Sequence, residues 1–151
     1  MNKIQLIALL QDTKTTTLYY FNLSEDELSK SYGEGKWTIR QILNHLADAE
    51  TVLYDRIRRI IAVPKQVIWA FDQEAWAKQL HYEYFPIAIN KNIYSAVRES
   101  IIYLADEYYE PLGSNEFVHS ETGLRTLKEE FEKVALHNQN HIHQIELALA
   151  R

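Results

Sequence analysis

Apolar residues recur along most of this chain at intervals of three and four, the period of a helix that buries one face. Ile4, Leu6, Ile7 and Leu10 begin such a face in a helix predicted from about Asn2 to Phe21. Ile39, Ile42, Leu43, Leu46, Leu53, Ile57 and Ile60 hold the period through a second long helix, stopped after about Ala62 by Pro64. A third covers about Ile87 to Tyr109 and ends before Pro111 and Gly113. A fourth opens at Thr126 and runs nearly to Arg151. Ser24-Glu25-Asp26-Glu27, Thr38-Ile39-Arg40-Gln41 and Thr126-Leu127-Lys128-Glu129 are capping boxes: a hydroxyl and a carboxyl or amide three residues on satisfy each other's backbone N–H groups. The first box starts a short helix that ends before Gly33, and Asp72 caps another that is broken by Tyr82-Glu83-Tyr84-Phe85-Pro86. Ser114 to Arg125 shows no period and reads as irregular, with Gly123 as a turn residue. Four long helices and two short ones, joined by loops of unequal length, predict an all-α fold: a four-helix bundle in up-down arrangement with short extra helices.

Composition narrows this further. A chain of 151 residues suits one domain, taken here as 1–151, and can bury a core without a structural metal or disulfides. A metal, if bound, then serves function. With only 4 Gly and 3 Pro there are too few turns for an all-β fold. A net charge of -5 with no basic run excludes nucleic acid as a partner. No stretch reaches the roughly 20 apolar residues of a membrane span. Met1-Asn2-Lys3-Ile4-Gln5 lacks the features of a secretion signal, so a cytoplasmic location is expected. The chain has no cysteine, which removes thiol nucleophiles and thiolate ligands.

The six histidines carry the candidate chemistry. His137 and His141 stand four residues apart on a predicted helix, so their Cβ atoms lie about 5–6 Å apart on one face. They share a stripe with Val134, Ile145 and Ala148, which should point into the bundle. Two inward imidazoles need hydrogen bonds or a metal, because an unsatisfied buried polar group costs about 1–3 kcal/mol. Core histidines satisfied by Asn, Tyr or water are the plain alternative. His45, on the second long helix beside Ile42, Ala49 and Val52, is the natural third ligand, since bundle metal sites are built from inward side chains of facing helices. Three imidazoles would leave a position open, the catalytic rather than the structural pattern. His143 should face elsewhere on the helix, and His81 and His119 fall in expected loops.

Other chemistry is missing. There is no phosphate loop, no Gly-x-Ser-x-Gly elbow and no His-Glu-x-x-His. None of His45, His137 and His141 has a Glu three residues earlier, as di-iron bundles require. Asp48 is better placed than Glu50 to act as a base near His45, set against a plain structural hydrogen-bonding role. Most of the ten tyrosines are expected in packing or subunit contacts, with one or two at a pocket or at the metal.

Trp37-Thr38-Ile39-Arg40-Gln41-Ile42-Leu43-Asn44-His45-Leu46-Ala47-Asp48-Ala49-Glu50 resembles a signature of the DinB/YfiT-like superfamily. His137-Asn138-Gln139-Asn140-His141-Ile142-His143-Gln144-Ile145 is similar to its C-terminal signature. Phe71 to Trp76 and His119 to Leu127 are similar to its connecting segments. The resemblance implies a four-helix bundle, often dimeric, in which His45, His137 and His141 hold one divalent ion, zinc or nickel. It implies a metal-dependent enzyme acting on a small molecule, with a low-molecular-weight thiol S-transferase as the leading expectation. A metal-dependent hydrolase using metal-activated water is the first alternative. A non-enzymatic, dimeric metal- or ligand-binding bundle, its ion closed off by His119 or a tyrosine, is the second.

Overall fold

A computed structural model describes residues 1–151. Six helices form where the caps and periods place them: α1 (Lys3–Tyr20), α2 (Glu25–Leu28), α3 (Ile39–Ala62), α4 (Gln73–Gln79), α5 (Ile87–Tyr108) and α6 (Leu127–Leu149). All three expected capping boxes are present, at Ser24, Thr38 and Thr126. A fourth sits at the start of α1. There the Asn2 side chain accepts from the Gln5 N–H at 2.9 Å and the Gln5 side chain accepts from the Asn2 N–H at 3.0 Å. No helix is long and apolar enough to cross a membrane.

The four long helices close a ring in which α3 packs on α5 and α6, and α1 packs on the same two. α1 and α3, neighbours among the long helices of the chain, therefore stand diagonally. Cross-helix pairs give the directions. Asn44 meets Asn90 and Glu50 meets Arg98, so α3 and α5 run parallel. His45 meets His137 and Arg56 meets Glu130, so α3 and α6 run antiparallel. The expected four-helix bundle is present, with its alternation along the chain interrupted once, between α3 and α5, so that α1 and α6, which close the ring, also run parallel. The long return through residues 63–86, which carries α4, makes that parallel step.

Its interior has two apolar halves. One gathers Leu6, Leu10, Leu53, Ile57, Ile60, Ile101, Phe117, Phe131 and Val134. The other gathers Tyr20, Ile39, Ile42, Leu43, Leu46, Tyr94, Ile142, Ile145 and Ala148. Each fully buried aliphatic side chain contributes about 1.5–3 kcal/mol. Between the halves each long helix carries buried polar residues: Thr13 and Thr17 on α1, Glu50 on α3, Arg98 on α5, and Asn138 on α6. The bundle thus has a polar waist; His137 and His141 lie beside Asn138 on α6, and His45 meets them from the edge of the second half.

The segment expected to be irregular, Ser114 to Arg125, is instead mostly a β-hairpin. β2 (Glu116–His119) pairs antiparallel with β3 (Gly123–Thr126), and β1 (Val67–Ile68) adds to β2 in parallel. The alternation that marks β2 is only four residues long, with Phe117 and His119 buried and Glu116 and Val118 outside. So short a run is indistinguishable from a loop by period alone. β1 is shorter still, and its pairing with β2, some fifty residues away, is a tertiary event. Gly123 supplies the positive φ of 78° that the turn into β3 needs.

Candidate metal centre

His45 is the seventh residue after the N-cap at Thr38, on the α3 stripe that faces α6. His137 and His141 face it from α6. The Nε2 atom of His137 lies 3.1 Å from that of His45 and 3.1 Å from that of His141. The three residues form a group whose ligand atoms all fall within 4.8 Å of one another, and no carboxylate belongs to it. His45 is fully buried, and the two α6 rings are half-buried.

Protonation decides what such a cluster can be. Burial, and then the other two rings, hold the His45 pKa down at about 2. Burial, His141, Lys133 and Arg98 hold His137 at about 3. Burial lowers His141 as well, against the opposing hydrogen bond to Gln144. The rings are therefore neutral near neutral pH. In His141 the Nδ1 position donates to Gln144 Oε1 at 2.8 Å, which leaves its Nε2 as a lone pair. His137 Nε2 has both other Nε2 atoms at contact distance and can donate to one at most. The third nitrogen is then left at 3.1 Å with no proton to share. His45 adds a second unmet demand, because its Nδ1 is buried with no partner. A divalent cation bonded to the three Nε2 atoms would satisfy all three lone pairs at once. The spacing suits it: metal–nitrogen bonds of about 2.0–2.1 Å put two ligands roughly 2.8–3.0 Å apart at a right angle and about 3.3–3.4 Å apart in a tetrahedron. The residues fit a metal ion.

Aromatic rings shape the surroundings. Trp37 packs on His45 with centroids 5.0 Å apart and stacks near His141 at 6.5 Å, and Phe71 stacks on His45 at 6.4 Å. Two openings reach the cluster. One, of about 160 Å³, is lined by Phe71, Gln73, His119, Lys133 and His137 among others. The second, of about 240 Å³, is lined by Tyr32, Trp37, Gln73, His141 and Gln144 among others. Gln73, at the start of α4, borders both.

The remaining candidates fall away from the three rings. Asp48 accepts a short hydrogen bond from the Tyr82 hydroxyl, and burial raises its pKa against that bond. Glu50 is locked into an ion pair with Arg98. His143 is exposed, 3.9 Å from Glu146, and His81 is exposed in a turn with φ of 50°. His119 is not in a loop as expected but on β2. Its Nδ1 accepts the backbone N–H groups of Glu121 and Thr122 at 3.2 and 3.3 Å, so it closes the hairpin turn rather than joining the cluster. Among tyrosines, Tyr94 donates to Asn138, beside His137, and Tyr32 lines the cleft at His141. Reading by residue type passed over Gln144, Trp37 and Phe71 as parts of the site. Gln144 carries a signal, since it stands three residues beyond His141 on the same helix. Phe71 carries none, since it reaches His45 from a loop.

A sequence model of the DinB superfamily matches residues 9–145. The chain is 32% identical over 129 residues to a protein of Oceanobacillus iheyensis named "Putative metal-dependent hydrolase", covering 85% of this chain and 74% of that one. It is 25% identical over 130 residues to a protein of Halalkalibacterium halodurans with the same name, covering 86% and 75%. In fold it matches YfiT from Bacillus subtilis, described as a probable metal-dependent hydrolase with an unusual four-helix bundle topology. That match has a TM-score of 0.86 at 22% identity and covers 96% of this chain and 85% of YfiT.

Proposed function

The chain belongs to the DinB superfamily, and from that premise we propose that it is a mononuclear metal-dependent enzyme whose ion is held by His45, His137 and His141. The observation that carries the reading is the convergence of three neutral imidazoles, Nε2 to Nε2 at 3.1 Å, beside two openings to solvent. A divalent ion of the zinc or nickel type, which imidazole suits, would supply Lewis acidity to a small molecule that reaches the rings through these openings.

The chain's own residues set the rest. Gln144 fixes the tautomer of His141. Trp37 and Phe71 cover His45 and hold its ring in place. No carboxylate joins the three rings, and the nearest by sequence, Asp48, is engaged by Tyr82. Activation of the nucleophile is thus left to the ion. A bound ion would deprotonate a thiol, with a free pKa near ~8.5, outright, and would bring water from about 15.7 only to ~7, so thiol S-transfer is the chemistry that asks least of the site. The sulfur comes from the substrate, since the chain has no cysteine. The names of the relatives support hydrolysis as a second reading, with Asp48 released from Tyr82 to serve as base.

Elemental analysis of untagged protein beside His137→Ala tests the common premise. About one ion per chain, lost in the variant, is expected; no ion bound or taken up from added zinc, nickel or manganese overturns it. Thiol consumption with electrophilic substrates, unaffected by Asp48→Asn, then favours transfer. Ester or amide cleavage abolished by Asp48→Asn favours hydrolysis.

A further inference from the structure

The opening at His137 has an apolar side, with Ala49, Leu53, Ala70 and Phe71, and a polar side that carries Arg56, His119 and Lys133. Lys133 stands one turn before His137 on α6, is exposed, and has no carboxylate within ion-pair distance. It borders both the His137 opening and an adjoining polar cavity of about 300 Å³ beneath the hairpin. His119 borders the same two spaces and is only 6% exposed. Its Nδ1 is committed as an acceptor to two backbone N–H groups, so the proton of the neutral ring sits on Nε2, which has no partner within the protein. Arg56, 3% exposed, lines the His137 opening, and its Nε is a buried donor left without a partner.

The carboxylates nearby are largely spoken for. Glu130 accepts from Arg56 at 3.3 Å, and Glu129 caps α6 through Thr126 and pairs with Arg125 at 3.3 Å. Glu121 lines the opening as well and is exposed, as Lys133 is. The field they leave is positive at His119. After burial itself, Arg56 and then Lys133 lower its pKa, each more strongly than Glu130 or Glu121 raises it.

We infer that Lys133 and His119 form an anion subsite beside the three-histidine centre, and that the enzyme takes a small substrate bearing a carboxylate. Lys133 supplies the charge and His119 a directed Nε2–H, so that the two oxygens of one carboxylate each meet a donor. A volume of about 160 Å³, that of roughly five water molecules, suits a small anchored group. The hairpin, by holding His119 through its turn, makes the donor rigid. The assignment rests on the proposed enzyme reading only for where the substrate's far end goes; the subsite itself consists of protein atoms alone.

The test uses succinate and its uncharged diamide as probes, titrated by calorimetry into metal-free and metal-loaded protein. Succinate should bind both forms and the diamide neither. Lys133→Met should weaken succinate by about tenfold or more, the loss of one charged hydrogen bond. His119→Asn keeps an acceptor for the turn but removes the Nε2–H, and should weaken succinate by about fivefold without lowering thermal stability. Both variants should keep the wild-type metal content. Succinate that binds only the metal-loaded form, indifferent to Lys133→Met, would identify it as a metal ligand and overturn the subsite. Failure of the protein to take up metal would overturn the enzyme reading, while binding to the metal-free form would still decide the subsite.

Discussion

At His141 one hydrogen bond decides which nitrogen is available. Gln144 Oε1 accepts the Nδ1–H, and the lone pair on Nε2 is left facing the other two rings. Replacing Gln144 with Leu frees the tautomer and the ring. Removing such an outer partner lowers metal affinity by about 10–100-fold, which competition with a chromophoric chelator would measure. Unchanged affinity would mean that the tautomer needs no such support. The pair His137 and His141 is legible in the sequence because both residues lie on one helix, where spacing of four fixes their distance. Trp37, Phe71 and Lys133 contribute through space, and nothing in their local sequence distinguishes a ring over a ligand from one in a core.

At the scale of the helices, Arg98 is the hub of the polar waist. Its Nε donates to Glu50 Oε2 at 2.9 Å and its Nη2 to Glu50 Oε1. The Nη1 donates to Leu10 O at 3.1 Å and Thr13 Oγ1 at 2.8 Å, and Nη2 also reaches Asn138 Oδ1 at 2.6 Å. One side chain on α5 thus ties α1, α3 and α6 together one residue from His137. Asn138 returns the contact to α1 through Thr17 at 2.9 Å. This fixes the rotation of α6 and so the direction of its histidines. Arg98→Met should cost about 3–5 kcal/mol in denaturant unfolding, because Glu50 is left charged and buried. Adding Glu50→Met should recover most of that loss, since an apolar pair of similar volume is often neutral. A double variant no more stable than the single one would show that the waist, and not the stranded charge, carries the energy. Helix ends were legible here because caps are local chemistry. The hairpin was not, because its strands are too short to show a period and its third strand comes from a distant segment.

For the whole molecule, the waist is held by Arg98, Glu50, Asn138 and the threonines without help from the histidines. The metal-free protein should therefore remain folded. Ion at a hundredfold excess over its Kd should add about 2.7 kcal/mol, or a rise of roughly 5–10 °C in Tm for a domain of this size. Thermal scans with chelator and with added metal would check this, with far-UV circular dichroism at 25 °C expected to match in both. A Tm indifferent to metal would exclude specific binding to the native state. Period, caps and turn residues by themselves determined an all-α chain of four long helices, and placed His45, His137 and His141 on buried stripes, because these are properties of neighbours within a turn or two. Tertiary structure alone decided that α3 and α6 are adjacent and antiparallel, so that His45 meets the α6 pair across 92 residues of chain. It also decided that α5 runs parallel to α3, that Asp48 is spent on Tyr82, and that a hairpin carries His119 to the opening beside His137. Those outcomes turn on which apolar stripes pack together and which buried polar groups find partners, a choice made among all four helices at once rather than within any one of them.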